Sequence, residues 1–277
     1  MIQRIRQISE LQATLQRFSR AGNGATTTWF ASAELSKKWI ERDALLFEPF
    51  DDCLLLFRRD RDFYHLYHVA ATAKALSAAL ASLNPAISGA AITADLIGRG
   101  EAVEALAERY VERGFAAYKS LIRMNRITQG VSADEFVDRE VSFALPADAP
   151  AILAFLEQLL DRFAEQIPEA KELAEACVRQ NILVLRRGTE LGGVLYFENR
   201  GETTILRYWF VAKGYREQGI GARLIKTMFR LCHNSRRILL WVISDNASAI
   251  AKYQRYGFTN DGLTDQVMIK RGGEWKR

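Results

Sequence analysis

Arg216-Glu217-Gln218-Gly219-Ile220-Gly221-Ala222 is the stretch on which the reading of this chain turns. An apolar run at residues 203–211 precedes it. An amphipathic run at 219–233 follows, with Ile220, Leu224, Ile225, Met228, Phe229 and Cys232 at helical spacing on its core side. Glycines between a strand and a helix let the backbone close its N–H groups on an anion. The unsatisfied N–H groups and the dipole at a helix start then favour phosphate. A lone Gly-x-Gly pair also fits an ordinary tight turn, so its surroundings decide. Three strand-like runs stand ahead of the loop, which excludes a dinucleotide-binding βαβ unit. The loop holds no Lys-Ser or Lys-Thr pair, which excludes the phosphate loop of nucleoside triphosphatases.

Working outward, the second half predicts a strand at 140–145 and a helix capped by Asp148 with Pro150 in its first turn. The apolar positions of that helix are Ile152, Leu153, Leu156, Leu159, Leu160 and Phe163. A second helix is predicted over 168–179, then strands at 182–186, 192–198 and 203–211. After the loop at 212–218 and the helix at 219–233 come a buried strand at 238–243 and a helix at 246–256. Gly257-Phe258 closes that helix, and a strand at 266–270 ends the pattern.

Two segments now stand together: Arg216-x-x-Gly219-x-Gly221, and Asn246-x-x-Ala249-x-x-x-Tyr253-x-x-x-Gly257-Phe258, with one helix and one strand between them. Over about residues 140–270 the chain resembles the GCN5-related N-acetyltransferase (GNAT) superfamily. The resemblance implies a mixed sheet whose central strands splay to accept a pantetheine arm. It implies that the loop of Arg216, Gln218, Gly219, Ile220, Gly221 and Ala222 holds the CoA pyrophosphate through its backbone amides. Phe210 and Val211 would bind pantetheine through their main chain, and Asn246 would touch the same arm. Tyr253 would protonate the departing thiolate, since a phenol with a pKa near ~10 keeps its proton at neutral pH. Where many members carry Pro, this chain has Lys213. A general base is not specified. Glu198, closing the middle strand, and Glu202, in the next turn, are the candidates, and both also read as solvated turn carboxylates; a water chain can do the same work.

The implied activity is acyl-CoA-dependent N-acyl transfer, acetyl from acetyl-CoA in the first instance, to a primary amine by direct attack. Acetyl-CoA is then a co-substrate and no metal is required. One alternative uses an acyl carrier protein or another acyl donor; a second is a CoA-binding sensor or scaffold without turnover. Tandem arrangements also occur in the mycothiol synthase and Fem-type aminoacyltransferase families, but the intact pyrophosphate signature argues against an aminoacyl-tRNA donor. The acceptor is a small-molecule or peptide amine of open identity.

The first half predicts a helix with Ile5, Ile8, Leu11, Leu15 and Phe18, a break at 21–28, and a helix at 31–42 with Leu35, Trp39 and Ile40. Strands follow at 45–50, 53–57 and 62–70, a helix at 72–83, a strand at 87–97, and a helix at 101–113 with Val103, Leu106, Ala107, Tyr110 and Val111 on one face. Gly114-Phe115 ends it, and a hairpin-like tail runs to 127. The element order matches the second half, and Tyr110-Val111-Glu112-Arg113-Gly114-Phe115 echoes Tyr253-Gln254-Arg255-Tyr256-Gly257-Phe258 at an offset of 143 residues. The expected fold class is therefore α/β (α+β): two tandem GNAT-like domains, residues 1–130 and 139–277, each a mixed, mostly antiparallel sheet flanked by helices. The boundary falls in the polar, aperiodic 128–138.

The first copy lacks the phosphate loop, because Val69-Ala70 runs straight into a helix through Ala71-Thr72-Ala73. Val103 also stands where Asn246 would be. This copy is expected not to hold CoA. Gly98-Arg99-Gly100 follows the wrong strand and reads as a turn. Tyr64, His65, Tyr67 and His68 alternate across one strand, with no neighbouring Cys or carboxylate set, so no metal is assigned.

Composition agrees. With 277 residues and 49% hydrophobic content, the chain buries a real core. The excess of 38 Lys and Arg over 33 Asp and Glu, a net charge of +5, suits a polyanionic small ligand and is too mild for a nucleic-acid reader. No apolar run long enough to span a bilayer and no basic-then-apolar leader are present, so neither a membrane nor export is expected. Three scattered cysteines, Cys53, Cys177 and Cys232, fit a reducing cytoplasm. A monomer or homodimer fits equally.

Overall fold

The structure, a computed structural model, describes residues 2–19, 25–128 and 138–272. In chain order the elements are β1 (Gln3–Arg4), α1 (Ile8–Ser19), β2 (Thr26–Thr27), α2 (Ala33–Glu41), β3 (Leu45–Pro49), β4 (Cys53–Asp60), β5 (Phe63–Ala70), α3 (Ala73–Ala81), α4 (Pro85–Ser88), β6 (Ala91–Gly98), α5 (Glu101–Val111) and β7 (Ala116–Ile127). Then come β8 (Val141–Phe143), α6 (Ala149–Glu157), α7 (Ala170–Val178), β9 (Ile182–Arg187), β10 (Glu190–Arg200), β11 (Thr203–Val211), α8 (Ile220–Leu231), β12 (Arg237–Ile243), α9 (Ala247–Arg255) and β13 (Thr259–Lys270). Among the described residues no helix is long and apolar enough to cross a membrane.

The chain forms two compact units, but they do not divide at the predicted boundary. Unit 1 is Met1–Leu121 with Gly262–Arg277; unit 2 is Ile122–Asp261. Each therefore takes a closing strand from the far side of 128–138, a stretch that lies mostly outside the described residues. In unit 1, β6 pairs antiparallel with β13 from Thr264↔Gly98 to Lys270↔Ile92. In unit 2, the end of β7 contributes Met124, which is fully buried with Leu240 and Phe258, and the Thr128 N–H donates to the Arg236 carbonyl at 3.0 Å. A linear boundary follows composition, which carries no record of which strands pair.

Within unit 1 the strands run β1-β3-β4-β5-β6-β13, with β2 added to β5. Alternation along β4 sends Cys53, Leu55 and Phe57 to the core under α3 and α5, and Leu54 and Leu56 to the core under α1 and α2. Unit 2 repeats this with β12-β11-β10-β9-β8. One core lies under α8 and α9 and another under α6 and α7.

The 143-residue echo has a geometric counterpart. Gly114 and Gly257 both adopt the left-handed region, at φ +83 and +80. Each lets the chain double back so that Phe115 N–H donates to the Tyr110 carbonyl (3.1 Å) and Phe258 N–H to that of Tyr253 (3.2 Å). Both Tyr–Phe ring pairs are edge-on, at 5.0 and 5.8 Å.

Local predictions needed four corrections. The run at 87–97 is split: Asn84 Oδ1 accepts from Ala86 N–H at 2.9 Å and starts the short α4, so the strand begins at Ala91. The tail after Phe115 is one 12-residue strand, not a hairpin. Asp148 does not cap α6 with its side chain. Its carboxylate accepts from Leu145 N–H at 2.8 Å and pairs with Arg186 at 2.6 Å, holding a 3-10 turn ahead of the helix. Val111 and Leu159, expected on packed faces, are exposed.

Candidate active site

In unit 2, β11 and β12 run parallel and pair at three positions, the last being Ile205↔Leu239. Beyond it the two strands part, while β11 stays paired to β10 as far as Val211↔Gly193. The edge of β11 that carries Phe210 and Val211 thus opens onto a notch. A register shift between Tyr196 and Phe197 leaves Arg207 as the extra residue of β11, a bulge that re-aims its side chain.

At the end of β11 the chain makes a 3-10 turn, Lys213–Tyr215, and reaches α8 through two left-handed residues, Glu217 (φ +66) and Gly219 (φ +73). Glycine takes this conformation freely, whereas at Glu217 it costs roughly 1 kcal/mol or more. The helical ladder begins with Arg223 N–H to the Gly219 carbonyl at 3.1 Å. The N–H groups of Ile220, Gly221 and Ala222 lie ahead of it, and Gly219 offers no side chain to cap them. An uncapped helix start is an anion site by geometry and dipole together. Arg216, Gln218 and Lys213 are exposed around it, with Gln218 Nε2 reaching the Gly214 carbonyl at 3.4 Å.

Gly221 serves packing. A Cβ there would meet Trp209 and Val211 at 3.4 Å, and Trp209 Nε1 donates to its carbonyl at 3.1 Å. Gly192 and Gly193, given no role from the sequence, matter more. A Cβ on Gly193 would come within 2.7 Å of Ile220 and 2.9 Å of Leu224, so β10 lacks side chains where the first turn of α8 presses on it. Gly193→Val is expected to destabilise the protein by about 2 kcal/mol through overpacking, lowering the midpoint of urea unfolding. An unchanged midpoint would show that α8 does not seat this closely.

Asn246 caps α9: its Oδ1 accepts from Ala249 N–H at 3.1 Å. Tyr253, on the same helix, packs its ring against Trp209 and Phe258, each with centroids 5.8 Å away. Burial pushes the phenol well above its ordinary pKa, and the charge of Glu165 pushes the same way. Glu165 comes from the segment between α6 and α7, outside every motif. Tyr208 OH donates to the carbonyl of Gln166, and Asp161 N–H donates to Glu165 Oε2 at 2.9 Å, which folds this segment onto β11.

Glu198 is half-buried and tied down. Tyr196 OH donates to it at 2.9 Å, Arg200 reaches it at 2.6 Å and Arg207 at 3.9 Å. Burial opposes its ionisation, yet Arg207 and Arg200 together hold it below the usual carboxylate range. Glu202 is exposed and pairs with Arg236 at 3.0 Å.

The first copy has the same notch, with β5 and β6 pairing in parallel as far as His65↔Thr93. Its contents differ. Tyr110, at the position echoing Tyr253, is fully buried, and its hydroxyl hydrogen-bonds His68 Nδ1 at 2.9 Å.

Known proteins are similar to this chain in sequence and in fold. Residues 152–258 match the acetyltransferase (GNAT) family model. An 82-residue stretch is 34% identical to mycothiol acetyltransferase of Corynebacterium efficiens, covering 28% of each chain. An 80-residue stretch is 30% identical to the probable spermine N(1)-acetyltransferase of Bacillus subtilis subsp. natto, covering 26% of this chain and 53% of that one. The chain thus spans about a quarter and about half of the lengths of these relatives. The crystal structure of a GCN5-related N-acetyltransferase from Sphaerobacter thermophilus superposes with a TM-score of 0.56 at 15% identity, over 88% of both chains, a likeness of fold. The uncapped α8 start and the splayed β11 and β12 lie within residues 152–258, the part of the chain that matches the acetyltransferase (GNAT) family.

Proposed function

We propose that unit 2 transfers an acyl group, acetyl in the simplest case, from CoA to a primary amine by direct attack. The observation that carries this reading is the uncapped start of α8 at the mouth of the β11–β12 notch, with a protonated Tyr253 beside Trp209. The N–H groups of Ile220, Gly221 and Ala222, with those of Gln218 and Gly219, are assigned to the pyrophosphate, aided by Arg216. The main chain of Phe210 and Val211 and the side chain of Asn246 are assigned to pantetheine. The amine nitrogen bonds to the thioester carbonyl carbon and the C–S bond breaks. The thiolate takes its proton from Tyr253, and the proton lost by the amine leaves through water. Positioning the two substrates supplies most of the acceleration. Glu198, held ionised by two arginines, suits an anchor for the acceptor's ammonium better than a proton acceptor. The acceptor is read as a small-molecule or peptide amine, and three buried free cysteines fit a cytoplasmic setting.

Calorimetry with acetyl-CoA tests the donor. Saturable one-to-one binding is expected, and no heat at high micromolar concentration would remove the reading. Acyl-loaded carrier protein in parallel shows whether the pantetheine arm alone is recognised.

The pH profile tests the acid. The amine must be neutral to attack, so kcat/KM should rise with pH towards the amine's own pKa. Burial raises the Tyr253 pKa above its ordinary value, so the acid stays protonated and no falling limb is expected below about pH 10. A falling limb at pH 8 to 9 would assign the acid elsewhere.

A further inference from the structure

The notch of unit 1 carries polar groups that the CoA reading leaves unused. Two positions past its last pair, Tyr67 of β5 and Asp95 of β6 face each other across the opening strands, on the α1 and α2 side of the sheet. Arg58 of β4 and Asp265 of β13 lie on the same face, since Arg58 pairs with His65 and Asp265 with Ile97. Trp29, Trp39 and Tyr67 form an aromatic wall, with ring centroids 5.2 to 6.0 Å apart, and the Arg58 guanidinium stacks over Trp39 at 5.1 Å.

Neighbouring polar groups are satisfied. His65 meets Thr93 at 3.1 Å and Asp60 at 3.3 Å, and Arg58 Nη1 is 3.3 Å from Asp60. Three buried atoms are not: Arg58 Nε, Arg58 Nη2 and Asp265 Oδ1 have no hydrogen-bond partner. Leaving such groups unmet is costly. Arg58 is hydrogen-bonded to Tyr67 besides its contact with Asp60, and its Nε and Nη2 still ask for an acceptor. Asp95 is drawn towards Arg58, which Asp60 already engages, while beside Asp265 stand Asp95 and the Leu96 backbone, so the two carboxyls ask for a cation. Burial pushes Asp95 up to about 6 against the pull of Arg58, and burial followed by the nearby Asp95 pushes Asp265 up. Both shifts record burial first, and only that of Asp265 records a neighbouring negative charge as well.

We propose that unit 1 binds a small zwitterion of the free amino-acid class. Its carboxylate meets Arg58, its ammonium meets Asp95 and Asp265, and its side chain lies along Trp29 and Trp39. Trp29 is half-buried while the next residue, Phe30, is 65% exposed, so this wall reaches the surface. The degenerate copy becomes a ligand-sensing unit, and the proposal does not depend on acetyl transfer in unit 2.

Calorimetry on the full chain with each common amino acid up to about 10 mM tests this, with acetate and ethylamine as single-charge controls. At least one amino acid should bind saturably, with both controls at least about tenfold weaker. Arg58→Lys and Asp265→Asn should each weaken that binding about tenfold or more, the loss expected for one charge-assisted hydrogen bond, while the thermal melt of the full chain stays cooperative as a check on folding. If the buried-charge variants fail that check, Trp29→Ala, at a half-buried position, takes their place with the same expected loss. Binding of no amino acid, equal binding of a single-charge control, or amino-acid binding untouched by the folded variants would overturn the proposal. The last outcome would place the amino acid elsewhere, including the acceptor side of unit 2.

Discussion

Residues 139–277 produced alone are expected not to fold, although they contain every motif of the acetyltransferase reading. Unit 2 begins at Ile122, and that fragment lacks the end of β7. The missing segment supplies the fully buried Met124 and the partly buried Ile122, the Arg123–Asp261 ion pair at 2.8 Å, and Arg126, whose guanidinium stacks on Phe229 at 3.9 Å. Truncating one buried Met to Ala costs about 2–5 kcal/mol, and a whole domain is held by about 5–15 kcal/mol. Losing a strand with its ladder exceeds that margin. The converse fragment, residues 1–130, loses Val267, Met268 and Ile269 of β13, all buried, and should fail in the same way. Far-ultraviolet circular dichroism and thermal melts of each fragment check this, and co-expression of the two should restore a folded, acetyl-CoA-binding complex. A cooperative melt from residues 139–277 alone would show that the exchanged strand is dispensable.

Tyr253→Phe is expected to lower kcat by about 10²- to 10³-fold, the usual weight of a positioned general acid. The dissociation constant for acetyl-CoA and the melting temperature should hardly move. The ring contacts to Trp209 and Phe258 survive in phenylalanine, so the substitution removes a proton donor and little else. Binding and turnover measured on one preparation separate the two effects. A kcat within about fivefold of the parent would mean that water protonates the thiolate, and Tyr253 would revert to a packing residue.

The elements themselves were largely legible. Alternation in Cys53–Phe57 and helical spacing in Ile220–Cys232 report one-sided burial, which is a local property of a strand or helix. The glycine at 219 was legible for a comparable reason, since a left-handed φ is a constraint on a single residue. Gly193 was not. It looks like any strand glycine until α8 is laid across it, and the contact with Ile220 joins residues 27 positions apart. Arg207 escaped because a bulge is a property of a pair of strands. Glu165 escaped because only folding of its segment onto β11 brings its charge to Tyr253.

The sequence by itself determined the repeated order of elements, the family resemblance of residues 140–270 and the loss of the phosphate loop from the first copy, because each is written in short-range pattern and spacing. The tertiary structure alone decided where the two units end, since strand pairing joins Asp265 to a unit that otherwise stops at Leu121. It also decided what stands beside each notch: a buried Tyr110 tied to His68 in one, and a splayed β11 edge beneath an uncapped helix in the other. Hydrogen bonds between residues 42 positions apart, like that one, leave no periodic trace in a chain, because only folding brings the two partners together.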